Sequence, residues 1–176
     1  MSERERTEAR AYVSLGSNLG DRAGNLLLGV RGMLDANLRV ARLSSVYETE
    51  PVDFTDQPAF LNAVAELAPP LPAPEQLLAR LLRIEYALGR RREVRRGPRT
   101  LDLDLLVYGV EVRATDLLTL PHPRLHLRRF ALAPLAELAP DAAHPLLDKT
   151  FAELLRLCPD PSRVARWKPT GAEPGV

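Results

Sequence analysis

The chain has 176 residues, enough for one globular domain with a substantial core and too few for a multidomain design. Apolar residues make up 45% and charged residues 27%, which is typical of a folded soluble protein and excludes a disordered or fibrous chain. The 24 basic and 23 acidic residues leave a formal net charge of +1, which excludes the overall basic signature of a nonspecific nucleic-acid binder.

The first half of the chain predicts three strands and one helix. An apolar run at residues 11–15 predicts a strand that enters a turn rich in glycine and asparagine. Apolar residues recur at helical spacing over residues 25–38, and looser alternation over residues 38–48 predicts a second strand. Two prolines and three acids in residues 49–58 break the pattern before a third strand at residues 59–68. The second and third strands are therefore expected to form a hairpin with an unusually long loop.

The second half predicts a helix, a strand and two more helices. A proline-rich turn precedes a helix over residues 74–88, whose leucines and isoleucine fall on one face. Residues 100–108 predict a strand, and residues 127–138 and 149–157 predict helices, the first interrupted by Pro134. This order predicts an α+β fold of the ferredoxin-like kind. We expect an antiparallel sheet with a βαββαβ core, helices packed on its faces and further helices at the C-terminal end.

A single domain is expected over residues 11–167, between a flexible leader at residues 1–10 and a flexible tail at residues 168–176. The leader is charged and lacks an apolar core, unlike a secretory signal. Cys158 is the only cysteine, which excludes an intramolecular disulfide and fits a reducing compartment. No apolar run approaches the roughly 20 residues needed to cross a bilayer. We therefore expect a cytoplasmic protein with no membrane partner.

The segment Leu101-Asp102-Leu103-Asp104-Leu105 places two carboxylates on one face of a predicted strand. Side chains alternate between faces along a strand, so the leucines point into the core while Asp102 and Asp104 project together on the other side. Their Cα atoms lie roughly 6.6 Å apart, and like charges so placed repel unless a cation bridges them. Mg²⁺ is the natural candidate, because it takes one or two carboxylates and completes its shell with water and phosphate oxygens. A bare Asp-x-Asp is also typical of a solvated strand face.

Arginines are concentrated directly before this strand. Eight arginines and two glutamates fall between positions 80 and 99, a local charge of +6. An anion held by arginine side chains could share a cation with Asp102 and Asp104. A nucleoside triphosphate with Mg²⁺ would suit both features, since its phosphates match the arginines and its metal ion matches the aspartates. The alternative is a solvated helix end enriched in arginine. Residues 16–21 lack the Gly-Lys-Ser/Thr ending of a Walker A sequence, so a phosphate site would be built from side chains.

His122 adds a further cationic group beside these arginines. His122 and His126 are four residues apart, a spacing that would suit a metal pair on a helix. Pro123 lies between them and is incompatible with that helical geometry. A zinc site is therefore not expected.

Four sequence blocks occur in a characteristic order. They are Val13-Ser14-Leu15-Gly16-Ser17-Asn18-Leu19-Gly20-Asp21, Asp56-Gln57-Pro58-Ala59-Phe60-Leu61-Asn62-Ala63, Gly97-Pro98-Arg99-Thr100-Leu101-Asp102-Leu103-Asp104, and Pro121-His122-Pro123-Arg124 with Arg128 and Phe130. Together they resemble the family of 6-hydroxymethyl-7,8-dihydropterin pyrophosphokinases (HPPK) of folate biosynthesis, over about residues 11–167.

The resemblance implies an enzyme, a 2-amino-4-hydroxy-6-hydroxymethyldihydropteridine diphosphokinase. It would transfer the β,γ-diphosphoryl group of ATP to the hydroxymethyl oxygen of the pterin and release AMP. The resemblance further implies a monomer that acts on ATP and the pterin, and two Mg²⁺ ions held by Asp102 and Asp104. Such a transfer depends on positioning and charge neutralisation. The catalytic residues that it implies are Arg90, Arg92, Arg99, Asp102 and Asp104.

The resemblance also assigns residues to the two substrates. The implied ATP-binding residues are Glu85, Arg90, Arg92, Arg99, Leu105, His122 and Arg128. The implied pterin-binding residues are Thr49, Val52, Phe60, Asn62 and Phe130. The two phenylalanines would sandwich the ring, and the asparagine would bond to its edge. Glu85 could instead pair with Arg80 or Arg92.

Two other classes share parts of this pattern. An RNA-binding sheet has the same order of helices and strands and stacks bases on exposed aromatic residues. Aromatic residues are only 5% of this chain, and Asp102 and Asp104 would repel RNA. Another Mg²⁺-dependent nucleotidyl transferase would share the two aspartates but would place AMP on the acceptor. The identity of the product separates the two enzymes.

Overall fold

The computed structural model describes residues 8–50, 56–89 and 100–169. Within them lie a six-stranded antiparallel sheet, a short hairpin and four helices. The strands are β1 (Ala11–Ser17), β2 (Arg39–Leu43), β3 (Tyr47–Thr49), β4 (Phe60–Ala68), β5 (Asp102–Tyr108), β6 (Arg113–Ala114), β7 (Thr119–Leu120) and β8 (Val164–Arg166). The helices are α1 (Arg22–Asp35), α2 (Pro74–Ala87), α3 (Arg129–Leu138) and α4 (Phe151–Leu157), with a 3₁₀ turn at Leu125–Leu127.

The sheet has the order β5-β1-β4-β3-β8, with β2 also paired to β4 and β6-β7 forming the separate hairpin. This arrangement confirms the predicted α+β fold with helices on the faces of an antiparallel sheet. The long connection between β3 and β4 also agrees with the predicted hairpin, because these two strands pair. Residues 51–55 of that connection lie outside the described residues.

Helices cover the two faces of the sheet unequally. Val13 and Leu15 of β1 belong to one buried cluster, which α1 and α2 complete through residues such as Met33 and Leu81. Tyr12 points to the opposite face, where it joins a second cluster formed with α3 and α4. That second cluster contacts one end of the sheet. The other end of the same face carries the candidate site.

The predicted strand at residues 38–48 is in fact two strands, β2 and β3. Between them, the Ser44 N–H donates to the Val64 carbonyl over 2.9 Å, and the Val64 N–H donates to Ser44 Oγ over 2.9 Å. The serine side chain thus occupies a place in the ladder that a backbone carbonyl would otherwise take. A bulge between Val40 and Arg42 disturbs the same region.

Helix α1 begins and ends three residues earlier than predicted. Its start is fixed by Asp21, whose carboxylate accepts the Gly24 N–H over 2.9 Å. Its end lies just before Asn37, which has a φ of 57°, a left-handed conformation that stops a helix.

The C-terminal third differs from expectation in three respects. Helix α3 begins at Arg129 and continues to Leu138 through the buried Pro134, so the expected interruption at this proline does not occur. Helix α4 begins at Phe151, after a capping box formed by Thr150 and Glu153. The short strands β6, β7 and β8 had not been predicted.

Packing also extends slightly beyond the predicted domain start. Ala9 is buried, and Arg10 forms an ion pair with the buried carboxylate of Glu66, so these two residues do not belong to a flexible leader. Residues 1–7 and 170–176, which make up most of the predicted leader and most of the predicted tail, lie outside the described residues. Over the described ranges, none of the helices has the length and apolar character that a membrane crossing requires.

Candidate active site

A cavity of about 430 Å³ opens on the part of the sheet that α3 and α4 leave uncovered. Its floor comes from even-numbered positions of the neighbouring strands β5, β1 and β4, whose side chains share one face of the sheet. The residues that line it are Ser14, Gly16, Thr49, Glu50, Gln57, Phe60, Asn62, Asp102, Asp104, His122, Arg124, Leu127, Arg128 and Phe130. Eight of the predicted site residues are among them: Thr49, Phe60, Asn62, Asp102, Asp104, His122, Arg128 and Phe130.

Asp102 and Asp104 lie side by side on this floor, as the alternation predicts. Leu103 and Leu105 are 2% and 4% exposed on the opposite face. Gly16 of β1 pairs with Asp102, and Ser14 pairs with Asp104, so the carboxylates stand on the edge strand β5 directly beside β1. Both aspartates are partly exposed, although Oδ1 of Asp102 is buried.

The two carboxylates are chemically suited to Mg²⁺. Hard oxygen donors are its preferred ligands, and it commonly binds through one or two protein carboxylates while keeping water and phosphate oxygens. Over residues 8–50, 56–89 and 100–169, no group of three or more histidine, cysteine, aspartate or glutamate side chains could form a cage for a metal. The oxygen donors of Asp102 and Asp104 fit an ion that takes its remaining ligands from water and phosphate oxygens.

Asn62 forms a rigid corner of the cavity with Thr49 and Gly16. The buried Asn62 amide donates to Thr49 Oγ1 over 2.7 Å. Gly16 lies opposite Asn62 in the ladder, and a Cβ atom there would come within 2.9 Å of Asn62 Oδ1 and 3.8 Å of Phe60 Cδ1. The absence of a side chain at Gly16 thus allows the amide and the ring to sit against the strand.

Arg128 connects the carboxylates with the aromatic part of the cavity. Its Nη1 lies 3.9 Å from Asp104 Oδ2, and its Cζ lies 5.6 Å from the ring centroid of Phe130, within the range of a cation–π contact. The intervening Arg129 donates its N–H to Asp160 Oδ2 over 3.0 Å and its Nε–H to the Asp160 carbonyl over 2.8 Å. These bonds hold the first turn of α3, with Arg128 and Phe130 directed to the cavity.

His122 is neutral, contrary to the expectation of a cationic group. Burial, together with the charges of Arg128 and Arg124, lowers its pKa to about 4. Its Nδ1 accepts the Arg124 N–H over 3.1 Å, so the proton of the neutral ring resides on Nε2. His122 therefore offers the cavity a neutral donor near pH 7.

The shifted pKa of His122 predicts acid sensitivity. An unfolded histidine has a pKa near 6.5, so between about pH 6.5 and pH 4 the unfolded chain binds a proton that the folded chain does not. Stability should fall as the pH falls through this window. We expect the His122→Asn variant, which keeps an acceptor near Arg124, to lose less unfolding free energy than the wild type between pH 7 and pH 4.5. Urea unfolding at both pH values measures this, and an equal loss in both proteins would contradict it.

Two residues that the resemblance assigns to ATP lie away from the cavity wall. Glu85 is 1% exposed, and its Oε1 accepts the Leu103 N–H over 2.6 Å, which joins α2 to β5. The Leu105 side chain belongs to the core, so only its backbone could contact a nucleotide. Arg80 donates to the Ala36 carbonyl over 2.8 Å and thereby joins α2 to the end of α1. The predicted site residues Arg90, Arg92, Arg99 and Val52 lie outside the described residues.

Sequence reasoning missed several residues of the cavity wall. Ser14 and Gly16 lie there because β1 is central and pairs with both β4 and β5, a register that the strand pattern alone does not contain. Gln57, Arg124 and Leu127 also line it. Ser14, Gly16, Gln57 and Arg124 all belong to the sequence blocks quoted above, which is the signal that could have identified them.

Two carboxylates, arginine and histidine donors and aromatic rings thus meet in one cavity on the sheet of an α+β protein, a set of groups suited to a phosphorylated small molecule. The family model described as 7,8-dihydro-6-hydroxymethylpterin-pyrophosphokinase (HPPK) matches residues 12–140. The chain belongs to this family.

Relatives of similar length support the assignment. The 2-amino-4-hydroxy-6-hydroxymethyldihydropteridine pyrophosphokinase of Bacillus subtilis is 48% identical over 129 residues, which cover 73% of this chain and 77% of that protein. The enzyme of the same name from Pseudomonas aeruginosa is 41% identical over 155 residues, which cover 85% of this chain and 92% of that protein.

Other relatives are much longer. The folic acid synthesis protein fol1 of Pneumocystis carinii is 40% identical over 151 residues, which are 86% of this chain but 20% of that protein. The crystal structure of wild-type Plasmodium falciparum HPPK-DHPS has a TM-score of 0.69 at 13% identity, covering 85% of this chain and 44% of that one. This likeness shows a shared fold, and the present chain corresponds to only part of these longer proteins.

Proposed function

We propose that this chain catalyses the reaction of its family in folate synthesis. It transfers diphosphate from ATP to the hydroxymethyl group of 6-hydroxymethyl-7,8-dihydropterin and releases AMP. The observation that carries this proposal is the meeting of Asp102 and Asp104 with Phe60, Asn62 and Phe130 in one cavity. Carboxylates for cation binding and rings for a flat heterocycle are the two parts that the reaction requires.

Asp102 and Asp104 are the residues that would hold two Mg²⁺ ions. When bound there, the ions would neutralise phosphate charge and make the pterin hydroxyl proton easier to lose. The aspartates contribute the negative charge that concentrates cations at this end of the cavity. Repulsion between them favours a bound cation over an empty pair.

Arg128 and His122 are suited to the phosphates of ATP. The positive charge of Arg128 lies 3.9 Å from the Asp104 carboxylate. A phosphate bound between them would therefore contact both the arginine and a cation held by the carboxylate. His122 donates its Nε2–H without adding charge, because its pKa is low. Arg90, Arg92 and Arg99 would complete the neutralisation of the phosphates. For a loose phosphoryl transition state, such positioned donors supply most of the catalysis.

Phe60, Asn62 and Phe130 are suited to the pterin. Phe60 and Asn62 are two apart on β4 and share a face, so one can contact the plane of a ring and the other its rim. One amide hydrogen of Asn62 is committed to Thr49, which fixes the plane of the amide. The remaining donor and acceptor groups can then select a heterocycle with a complementary edge.

Gly16→Ala should weaken pterin binding through Asn62. The added methyl would meet Oδ1 of Asn62 at 2.9 Å and force the amide from its bond to Thr49. A disturbed buried hydrogen bond costs about 1 to 3 kcal/mol, so pterin affinity should fall roughly tenfold or more. The matched control is Gly32→Ala, which crowds Ile84 between α1 and α2, away from the cavity. Calorimetric titration with the pterin should show the loss in the first variant, and an equal loss in both would contradict it.

The proposed reaction is tested by its product. The protein is incubated with ATP, Mg²⁺ and the reduced pterin, and nucleotides and pterins are separated by chromatography. We expect AMP to form only in the presence of the pterin, in equal amount to a pterin diphosphate. Pyrophosphate release with AMP attached to the pterin would instead identify a nucleotidyl transferase. The absence of any pterin-dependent turnover would contradict the proposal.

The proposal includes a monomeric enzyme in the cytoplasm that acts on small molecules and binds neither nucleic acid nor membrane. The single buried cysteine is compatible with a reducing compartment. Sedimentation analysis checks the monomer, and fractionation of cells that express the tagged chain checks the location.

A further inference from the structure

We propose that Asn18 is a positioning residue that, with the help of Arg22, holds the segment Gln57-Pro58-Ala59 and thereby sets the pterin-binding wall of the cavity. This inference rests on the proposed function for the identity of the ligand. Asn18 does not line the cavity and acts through the segment that it binds.

Asn18 binds two consecutive residues with one amide group. Its Nδ2 donates to Gln57 Oε1 over 3.0 Å and to the Pro58 carbonyl over 3.1 Å. The residue is 2% exposed, so these bonds form away from competing water. Pro58 cannot donate a backbone N–H, and its carbonyl is therefore one of the few polar groups by which this turn can be held.

Arg22, the first residue of α1, binds both sides of the connection between β3 and β4. Its Nη1 donates to the Ala59 carbonyl over 2.9 Å and lies 2.9 Å from Oε2 of Glu48, which belongs to β3. The connection leaves the sheet after Thr49 and returns at Phe60. The Arg22 guanidinium thus joins β3, the strand before the connection, to Ala59, the last residue of the connection.

The held segment leads directly into the pterin-binding residues. Gln57 lines the cavity, and Phe60 begins β4 one residue after Ala59. Because Asn18 lies one residue beyond the end of β1, its position is fixed by the same strand that carries Gly16. Asn18 therefore fixes the position of the aromatic wall, which begins at Phe60, relative to the floor of the cavity on β1.

The turn that carries Asn18 offers a matched control. Asn25 donates from its Nδ2 to Ser17 Oγ over 3.2 Å and to the Leu19 carbonyl over 2.9 Å. Asn25→Ala removes an amide of the same kind that binds the same turn from α1, but none of its bonds reaches residues 57–59. Asn18→Ala removes the bonds that do. Asn18→Asp keeps the shape and puts acceptor oxygens where the donors were, opposite Gln57 Oε1 and the Pro58 carbonyl.

The first measurement needs no ligand. Hydrogen exchange is followed for the peptide amides of residues 56–61 in the wild type and in the Asn18→Ala, Asn18→Asp and Asn25→Ala proteins. We expect exchange in this segment to accelerate at least fivefold in both Asn18 variants and to change less than twofold in Asn25→Ala. Because Asn18 is buried and its loss could impair folding, Arg22→Ala is a second variant. Arg22 is partly exposed, and its loss should accelerate the same amides.

The second measurement separates positioning from general stability. Calorimetry and steady-state kinetics should show pterin affinity reduced about tenfold and KM for the pterin raised in Asn18→Ala and Arg22→Ala. The affinity for a non-hydrolysable ATP analogue should change less than twofold. Unchanged exchange and pterin affinity in these variants, or equal weakening of both ligands, would overturn the inference. A wild type that binds no pterin would contradict the proposed function instead, and the exchange data would still report on the contact itself.

Discussion

Asp102→Ala and Asp104→Ala should each reduce pyrophosphoryl transfer by on the order of 1,000-fold or more while the fold remains intact. Each carboxylate lies in the cavity beside the other, and removing one leaves too few oxygen donors to hold both proposed Mg²⁺ ions. Neither side chain belongs to the buried clusters of the core. The melting temperature should therefore remain unchanged or rise slightly as like-charge repulsion is relieved.

The control for this loss is Asp116→Ala. Asp116 is exposed in the turn between β6 and β7, so its replacement removes a carboxylate without touching the cavity. Turnover is measured as AMP release at saturating Mg²⁺, and binding of Mg²⁺ with an ATP analogue is measured by calorimetry. Near-normal turnover in either cavity variant would exclude the two-metal assignment. A loss of turnover in Asp116→Ala of the same size would point to a general effect of charge.

The placement of these two aspartates was predictable because strand alternation is a local rule. Once residues 100–108 form a strand, the burial of Leu103 determines the opposite direction of Asp102 and Asp104. The same rule places Phe60 and Asn62 on one face of β4. The sheet and its helices followed from similar local patterns, so the fold class could be predicted although several boundaries could not.

The boundaries and contacts that escaped prediction depend on distant residues. The break between β2 and β3 is stabilised by Ser44 through its bonds to Val64, twenty residues away. Strand β8 exists because β3 offers it a free edge, which three residues of sequence cannot indicate. The neutral state of His122 results from burial and from Arg124 and Arg128 in the folded protein. These effects depend on contacts between residues that are distant in the sequence, so the periodicity of the sequence cannot predict them.

Phe130→Ala should weaken pterin binding several-fold and leave ATP affinity nearly unchanged. Stacking contributes about 0.5 to 1.5 kcal/mol beyond simple burial, and the variant also removes apolar area from the cavity wall. Arg128 lies over the same ring, so its guanidinium loses a cation–π partner but keeps its position near Asp104. Tyr86→Ala is the control, because Tyr86 is 81% exposed on α2 and is not among the residues that line the cavity.

Asn62→Leu should cost more pterin affinity than the loss of one hydrogen bond suggests. The leucine would bury the polar rim of the pterin without a partner and would also leave the buried Thr49 hydroxyl without its donor. Thr49→Val separates these two effects, since it removes the hydroxyl but leaves the Asn62 amide available to the ligand. Calorimetry should therefore rank the loss of pterin affinity as Asn62→Leu above Thr49→Val, with ATP-analogue affinity nearly constant in both. Equal weakening of both ligands would mean that Asn62 supports the fold and does not recognise the pterin.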